Sequence, residues 1–216
     1  MGKPFLPRCG ESSPRPRRRS RPAYPGRVAY LIAIVAGLVF GAVDQFLGTI
    51  HFGPWGWTVS GMSAPWLILP FLAGMTQERR RRAMVLGLVV TLAALAGYFA
   101  MSNSPMEGAP LGRFFDRVVT MIVSGYNPLW IVGGIVTGPL YGFLGHRWRV
   151  ARSWISATLV TVALCLEPLA RKFAGMLSGS PVVWGTEIAI GTVVAVWFAF
   201  VIATSRRARE TVPPAA

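Results

Sequence analysis

Negative charge is scarce in this sequence. Only 8 of its 216 residues are Asp or Glu, whereas 22 are Lys or Arg. Charged residues of both signs make up 14% of the chain, 53% of the residues are hydrophobic, and the mean hydropathy is +0.49. A soluble domain has about 25% charged residues, because its surface faces water. This deficit of charge excludes a soluble enzyme.

The sequence also lacks the short motifs of catalysis and metal binding. It has no HExxH, GxSxG, Walker A or CxxC motif. Cys9 and Cys165 make neither a disulfide framework nor a metal site, and His51 and His146 are expected on opposite sides of a membrane. We therefore predict no metal and no other cofactor. The missing motifs argue against an enzyme without deciding the question.

The basic residues are distributed as topology signals. A formal charge of +14 is a common indication of nucleic-acid binding. However, eight of the 22 basic residues lie in the first 27, and most of the others flank apolar segments. Membrane proteins show this pattern, so we expect a lipid bilayer as partner and no nucleic acid.

Six apolar segments approach the length of about 20 residues that a membrane-spanning helix needs. The second contains Pro65 and Pro70, and the fifth has only 14 charge-free residues before Glu167 and Pro168. The sequence predicts an all-α, polytopic membrane protein with six transmembrane helices between residues 28 and 205. The predicted spans are 28–48, 60–76, 83–101, 128–145, 153–169 and 187–205.

Loop charges predict the orientation. With six spans, one side of the membrane has 18 basic residues and the other has four. Short cytoplasmic loops accumulate Lys and Arg, so both termini are expected in the cytoplasm, in a multi-pass protein of the inner (plasma) membrane. Residues 1–27 are rich in Pro, Ser and Arg and are predicted to be a disordered basic tail, and residues 206–216 a second cytoplasmic tail.

An internal similarity links the first and fourth segments. Residues 37–48 (GLVFGAVDQFLG) and 134–145 (GIVTGPLYGFLG) share six identities in twelve positions. Two interpretations stay open. One is a 3+3 inverted repeat, an architecture common among transporters; the other is chance similarity between helices built from few residue types.

Small residues recur every four positions on two predicted helices. They are Ala33, Gly37 and Gly41 on the first, and Gly134 and Gly138 on the fourth. Such stripes let helix backbones approach closely in lipid. They are predicted either to pack against helices of the same chain or to dock a separate subunit.

Three carboxylates fall within or beside the predicted spans, towards the extracytoplasmic side: Asp44, Glu167 and Glu187. Ionisable residues in a span usually face the bundle interior or a water-filled cavity. Aromatic residues and one histidine are expected near the same side, namely His51, Trp55, Trp57, Trp66, Trp130 and Trp184. Carboxylates beside aromatic faces suit a cationic ligand, although Trp is enriched at any membrane interface and the acids could simply pair with nearby basic residues. All of these except Trp66 form the predicted ligand site, with Asp44 as its best candidate.

Three stretches carry a resemblance to a known family: GAVDQFLG, MSAPWLILPFLAGMTQERRRRA and LAALAGYF. They resemble uncharacterised bacterial integral membrane proteins, mainly from high-GC species, over about residues 30–105. More distantly, the chain is similar to the substrate-binding S components of energy-coupling factor transporters. That likeness implies six helices, a ligand bound from outside, and a small-residue stripe on the first helix that docks a coupling subunit.

Two functions follow from these observations. The first is the binding or transport of a small, cationic solute from the extracytoplasmic side. The alternative is a non-transporting scaffold or accessory subunit that acts through its glycine stripes and binds no ligand.

Overall fold

A computed structural model of the protein describes residues 26–49, 54–108, 111–124, 127–173, 175 and 181–210. Within these ranges the regular structure is entirely helical, as predicted. Two short 3₁₀ helices, Pro105–Glu107 and Leu111–Arg113, lie between α4 and α5. The α-helices are α1 (Gly26–Thr49), α2 (Pro54–Ser60), α3 (Ala64–Met75), α4 (Arg80–Ser102), α5 (Phe114–Val123), α6 (Asn127–Ala151), α7 (Trp154–Phe173) and α8 (Pro181–Glu210).

Five of these helices, α1, α4, α6, α7 and α8, are long and apolar enough to cross a membrane. Many of their large hydrophobic side chains are exposed; Leu31, Val193 and Phe200 are each more than 60% exposed. Exposed apolar side chains on this scale suit a lipid environment. The prediction of an all-helical membrane protein is therefore confirmed at this level, including a 20-residue helix for the fifth predicted segment.

The second predicted segment, 60–76, differs from its expectation. Its helix, α3, has 12 residues, which is about 18 Å at 1.5 Å per residue. The helix α2 precedes it, and the two are separated by a break at residues 61–63. Gly61 and Pro65, which lies in the first turn of α3 and lacks an N–H group to continue a helix from the residues before it, explain why one continuous helix does not form here. Together, α2, the break and α3 cover the charge-free stretch of the sequence.

Close glycine contacts fix the relative directions of the central helices. Gly37 on α1 lies against Val90 on α4, and Gly41, one turn later, lies against Ala94. The order of the contacts shows that α1 and α4 run in the same direction. The contacts of α6 with α4 run in reverse order, from Gly134 beside Leu95 to Gly142 beside Ala83, so these two helices are antiparallel.

The bundle therefore has two chemically different ends. The first turn of α4 (Arg80–Arg82) and the last turns of α6 (Arg147 and Arg149) form what we call the basic end. At the other end lie the last turns of α1 and α7 and the first turns of α8, with Asp44, Glu167 and Glu187. We call it the acidic end.

The short helix α3 is held by opposite charges at its two ends. At its N-terminus, the backbone N–H groups of Ser63 and Ala64 donate to the Glu167 carboxylate at 2.6 and 2.8 Å. At its C-terminus, the Arg149 guanidinium donates to the carbonyl of Thr76 at 2.6 Å. A carboxylate at the N-terminus and a cation at the C-terminus both complement the helix dipole. This arrangement stabilises both ends of α3, where the first N–H groups and the last C=O groups have no partner within the helix.

The two halves of the chain do not pack alike. In the first half, α1 lies along α4 through the glycine contacts. In the second half, α6 and α8 meet through an aromatic cluster at the basic end, where the rings of Trp148 and Phe198 have centroids 4.4 Å apart. The inverted repeat therefore stays a prediction. The predicted N-terminal tail lies outside the described residues except for residues 26 and 27, which begin α1, whereas residues 206–210 of the predicted C-terminal tail continue α8.

Candidate functional site

A cavity of about 480 Å³ opens among α1, α3, α4, α6 and the α2–α3 break, towards the acidic end. Its walls are mostly apolar, with a few hydroxyl groups and one carboxylate. Ligand pockets commonly have volumes of about 300–1,000 Å³ and this kind of lining. The lining residues are Asp44, Ser60, Gly61, Met62, Ser63, Trp66, Leu67, Thr91, Leu95, Tyr98, Phe99, Trp130, Gly133, Gly134 and Thr137.

Asp44 supplies the charge of this cavity. It lies five residues before the end of α1, about 7.5 Å along the helix, and is only 7% exposed. The indole N–H of Trp66 donates a hydrogen bond to its carboxylate. Its Oδ2 atom has no hydrogen-bond partner among the described residues. This residue of the cavity lining therefore carries a buried carboxylate oxygen whose hydrogen-bonding capacity is unsatisfied among the described residues.

Aromatic rings surround this carboxylate. Trp66 on α3 packs edge to face against Phe40 and Tyr98, with ring centroids 5.3 and 6.2 Å away. Tyr98 interacts electrostatically with Asp44, and it lines the cavity together with Trp130 from α6. Aromatic faces attract cations within about 6 Å of the ring centroid. The cavity thus combines one carboxylate with four aromatic side chains, those of Trp66, Tyr98, Phe99 and Trp130.

The other two predicted carboxylates form a separate group, which we call the charge cluster: Glu167, Arg171, Trp184 and Glu187. Arg171 pairs with Glu167 one turn earlier on α7 at 2.8 Å, and its Cζ atom lies 5.6 Å from the centroid of the Trp184 ring. Glu187 on α8 is 2% exposed and interacts electrostatically with Glu167 and Arg171. No member of the charge cluster lines the cavity.

The cavity and the charge cluster meet at the α2–α3 break. Glu167 accepts the N–H groups of Ser63 and Ala64, while Arg171 donates to the Gly61 carbonyl and lies 3.4 Å from the Ser63 hydroxyl. Gly61 and Ser63 line the cavity on the other side. We call these contacts the break clamp, because they hold one wall of the cavity from behind.

The predicted ligand site is therefore divided. Asp44 and Trp130 lie on the cavity, whereas Glu167, Glu187 and Trp184 lie in the charge cluster. His51 and the side chains of Trp55 and Trp57 lie outside the described residues. Among the side chains that are described, no three His, Cys, Asp or Glu residues are grouped to hold a metal ion.

The predicted packing residues all face α4 or the core beside it. Ala33 is buried in a cluster with Leu86 and Val90 of α4. Added side chains at Gly37 and Gly41 would meet the α4 backbone, and at Gly134 and Gly138 they would meet Thr91 and its neighbours. Both stripes are therefore buried within the chain, and neither presents a free surface.

Several lining residues were not part of the predicted site. The predicted site does not include Trp66, which contacts Asp44, nor Tyr98 and Thr91. A signal existed for Tyr98 and Thr91, because polar side chains spaced seven residues apart fall on one face of α4. Nothing in the sequence alone indicates that the break at 61–63 returns to face Asp44.

Comparisons with known proteins place the chain in a family without giving it an activity. A family model described as Family of unknown function (DUF6518) matches residues 21–216. No curated protein and no solved structure matches the chain significantly.

Proposed function

Because this chain belongs to a family of unknown function (DUF6518), its site must indicate its activity, and we propose that it binds a small organic cation in the cavity beside Asp44 and carries it across the membrane. The observation that carries this proposal is the nearly buried carboxylate of Asp44, a residue that lines an aromatic cavity and whose Oδ2 atom has no hydrogen-bond partner among the described residues. Burying a carboxylate in this position is costly without a partner. A cationic solute supplies one.

The lining limits the chemistry of the solute. One carboxylate oxygen offers one charge-assisted contact, and the faces of Tyr98, Trp66 and Trp130 favour a cation whose charge is spread over methyl or methylene groups. The hydroxyls of Thr91 and Thr137 already donate to carbonyls of their own helices, so they can still accept a hydrogen bond from a solute N–H group. Primary, secondary and quaternary amines of modest size fit these features.

We further propose six membrane crossings, with α2, the break and α3 together as the second. The parallel direction of α1 and α4 supports this, since the chain between them must return to the basic end. Cytoplasmic loops are rich in Arg and Lys, so the basic end and both termini are assigned to the cytoplasm of a bacterial cell, and the cavity to the extracytoplasmic side of the inner membrane.

The alternative function, a scaffold or accessory subunit, needs a different surface from the one predicted. Its basis was the glycine stripes, which are occupied by contacts within the chain. A coupling subunit of the kind that the S-component likeness implies would also have to dock on another face. We therefore rank solute binding above the scaffold function.

Native mass spectrometry of the protein, purified gently from its membranes, tests the proposal. Three proteins are compared: wild type, Asp44→Asn, and the matched control Asp116→Asn, which removes an exposed carboxylate on α5. A small molecule retained by the wild type and by Asp116→Asn, but lost from Asp44→Asn, supports the proposal.

Calorimetric titration with tetramethylammonium, choline and spermidine covers a solute that is lost on purification. Binding that depends on Asp44 supports the proposal. If no molecule is retained and none of the three cations binds in an Asp44-dependent way, the proposal is wrong. Recovery of a protein partner alone would then favour the scaffold function.

A further inference from the structure

Glu187 is the most deeply buried carboxylate in the described part of the chain. It is 2% exposed, and apart from the neighbouring Glu167 carboxylate its oxygens have no hydrogen-bond partner among the described residues. It lies six residues after the start of α8, about 9 Å along the helix. An ionised carboxylate in such a place is strongly disfavoured unless it finds a counter-charge or binds a ligand.

The surroundings of Glu187 offer one shared counter-charge. Arg171 and Glu167 on α7 are the charges that act on it, and Arg171 is already paired with Glu167. The other nearby helices add no further counter-charge. The sequences of α2 and α3 contain no titratable residue, and the titratable residues of α6 begin at Tyr141, in the half of that helix towards the basic end. Lys172 on α7 is exposed. Two carboxylates thus share one guanidinium, which leaves one negative charge without compensation.

A proton is the ligand that fits this excess charge. A metal ion would need several oxygen ligands, but both oxygens of Glu167 already accept hydrogen bonds from the backbone of residues 63 and 64. The Arg171 guanidinium would also repel a metal ion. A proton needs only one oxygen, and the only described hydrogen-bond partner of Glu187 is the Glu167 carboxylate, towards which a protonated Glu187 can donate.

We propose that Glu187 is a proton-binding site that controls the break clamp. With its proton bound, Glu187 is neutral. Arg171 then pairs only with Glu167 and keeps its contacts with Gly61 and Ser63. When the proton leaves to water at the acidic end, the Glu187 carboxylate competes for Arg171. The contacts of Arg171 with Glu167, Gly61 and Ser63 then weaken, and the cavity wall at residues 61–63 loosens.

The consequence is a thermodynamic linkage between proton binding at Glu187 and solute binding in the cavity. The wall keeps its shape when Glu187 is protonated, so solute binding favours proton uptake, and by reciprocity proton uptake favours solute binding. This linkage rests on the proposed function, whereas the proton site and its effect on the clamp do not. The two parts can therefore be tested separately.

Hydrogen–deuterium exchange of the purified protein without solute tests the proton site. The readout is the exchange of the Ser63 and Ala64 amides, which donate to Glu167, as a function of pH. In Glu187→Gln the side chain is neutral at every pH, so these amides should stay protected. In the wild type, exchange should rise with pH by about tenfold more than in Glu187→Gln, the change expected for one hydrogen bond of ordinary strength.

Identical pH profiles of the wild type and Glu187→Gln would overturn the proton site. Exchange within α4 checks that the variant is folded, since a local effect should leave those amides unchanged. Infrared spectra provide a second readout, because a protonated Glu187 contributes a carboxylic-acid band that Glu187→Gln removes. Absence of any difference in that band between the wild type and Glu187→Gln at acidic pH would equally refute the idea.

Asp44→Asn separates the proton site from the proposed function. This variant should lose solute binding but keep the pH profile of the amides, because Asp44 is not part of the clamp. Tetramethylammonium should shift the wild-type profile to higher pH and leave that of Asp44→Asn unchanged. If tetramethylammonium binds the wild-type protein without shifting its pH profile, the linkage is wrong. If the cation does not bind, that result counts against the proposed function alone.

Discussion

Gly41 on α1 lies directly against the backbone carbonyl of Ala94 on α4, without room for a side chain between the two helices. This contact holds the last turns of α1, and with them Asp44, against the helix that supplies Tyr98 and Thr91 to the cavity. Close backbone approach of this kind is how small residues stabilise helix pairs in lipid. The position of the cavity carboxylate therefore depends on a glycine one turn away.

We expect Gly41→Leu to lower the free energy of unfolding by about 1–3 kcal/mol, because the added side chain must push α1 away from α4. Thermal unfolding of the purified protein in detergent measures the effect. The matched control is Gly185→Leu on α8, where an added Cβ atom would meet nothing within 4 Å. Equal melting temperatures for the two variants would contradict this account of the interface.

The two ion pairs at opposite ends of α3 should differ in strength. Glu167→Ala removes the ion-pair partner of Arg171 and leaves the N–H groups of Ser63 and Ala64 without their acceptor, so we expect a loss of about 1–3 kcal/mol. Glu78→Ala breaks the pair with Arg149, in which the Glu78 side chain is 51% exposed, and should cost less than about 1 kcal/mol. Chemical denaturation of both variants checks the order, and a larger loss for Glu78→Ala would reverse it.

Trp130 should contribute to cation binding through its ring face rather than through its volume. We expect Trp130→Leu to weaken tetramethylammonium binding by about 2- to 30-fold, the range that corresponds to a cation–π contact of about 0.5–2 kcal/mol. Trp130→Phe keeps an aromatic face and should lose less. The measurement is calorimetric titration of both variants, and equal losses would show that the ring makes no such contact.

The orientation of the bundle can be read from cysteine labelling in intact cells. Cys9 and Cys165 are first replaced, and single cysteines are then introduced at Met106, towards the acidic end, and at Glu78, at the basic end; both positions are exposed. An impermeant thiol reagent should label Met106→Cys in intact cells and Glu78→Cys only after permeabilisation. The reverse pattern would invert the assigned topology.

Much of the architecture was predictable because hydropathy and helix length are local properties. Segments 28–48, 83–101 and 128–145 became α1, α4 and α6 with ends that differ by a few residues. The break at 61–63 was not predicted, because the segment's lack of charge favoured one span. The break is stabilised by Glu167, which is about a hundred residues away in the sequence. Hydrophobic periodicity is a local property and does not indicate such a contact.

The sequence predicts which carboxylates are candidates for the site, but it does not predict which of them lie together. The scarcity of carboxylates indicated Asp44, Glu167 and Glu187 from the sequence alone, and all three are buried or nearly so. Which of them share a space depends on how the helices are arranged around α4. That arrangement separates Asp44 from the other two, with the break between them.

The break clamp also affects which sign of charge the cavity can accept. The N-terminus of a helix has a partial positive charge equivalent to roughly half an elementary charge, and α3 begins at the cavity wall beside Ser63. Unmasked, this positive pole would repel a cation and offset Asp44. Glu167 offsets part of this positive pole from behind the wall, so a residue that touches no solute would support the cation binding that we propose.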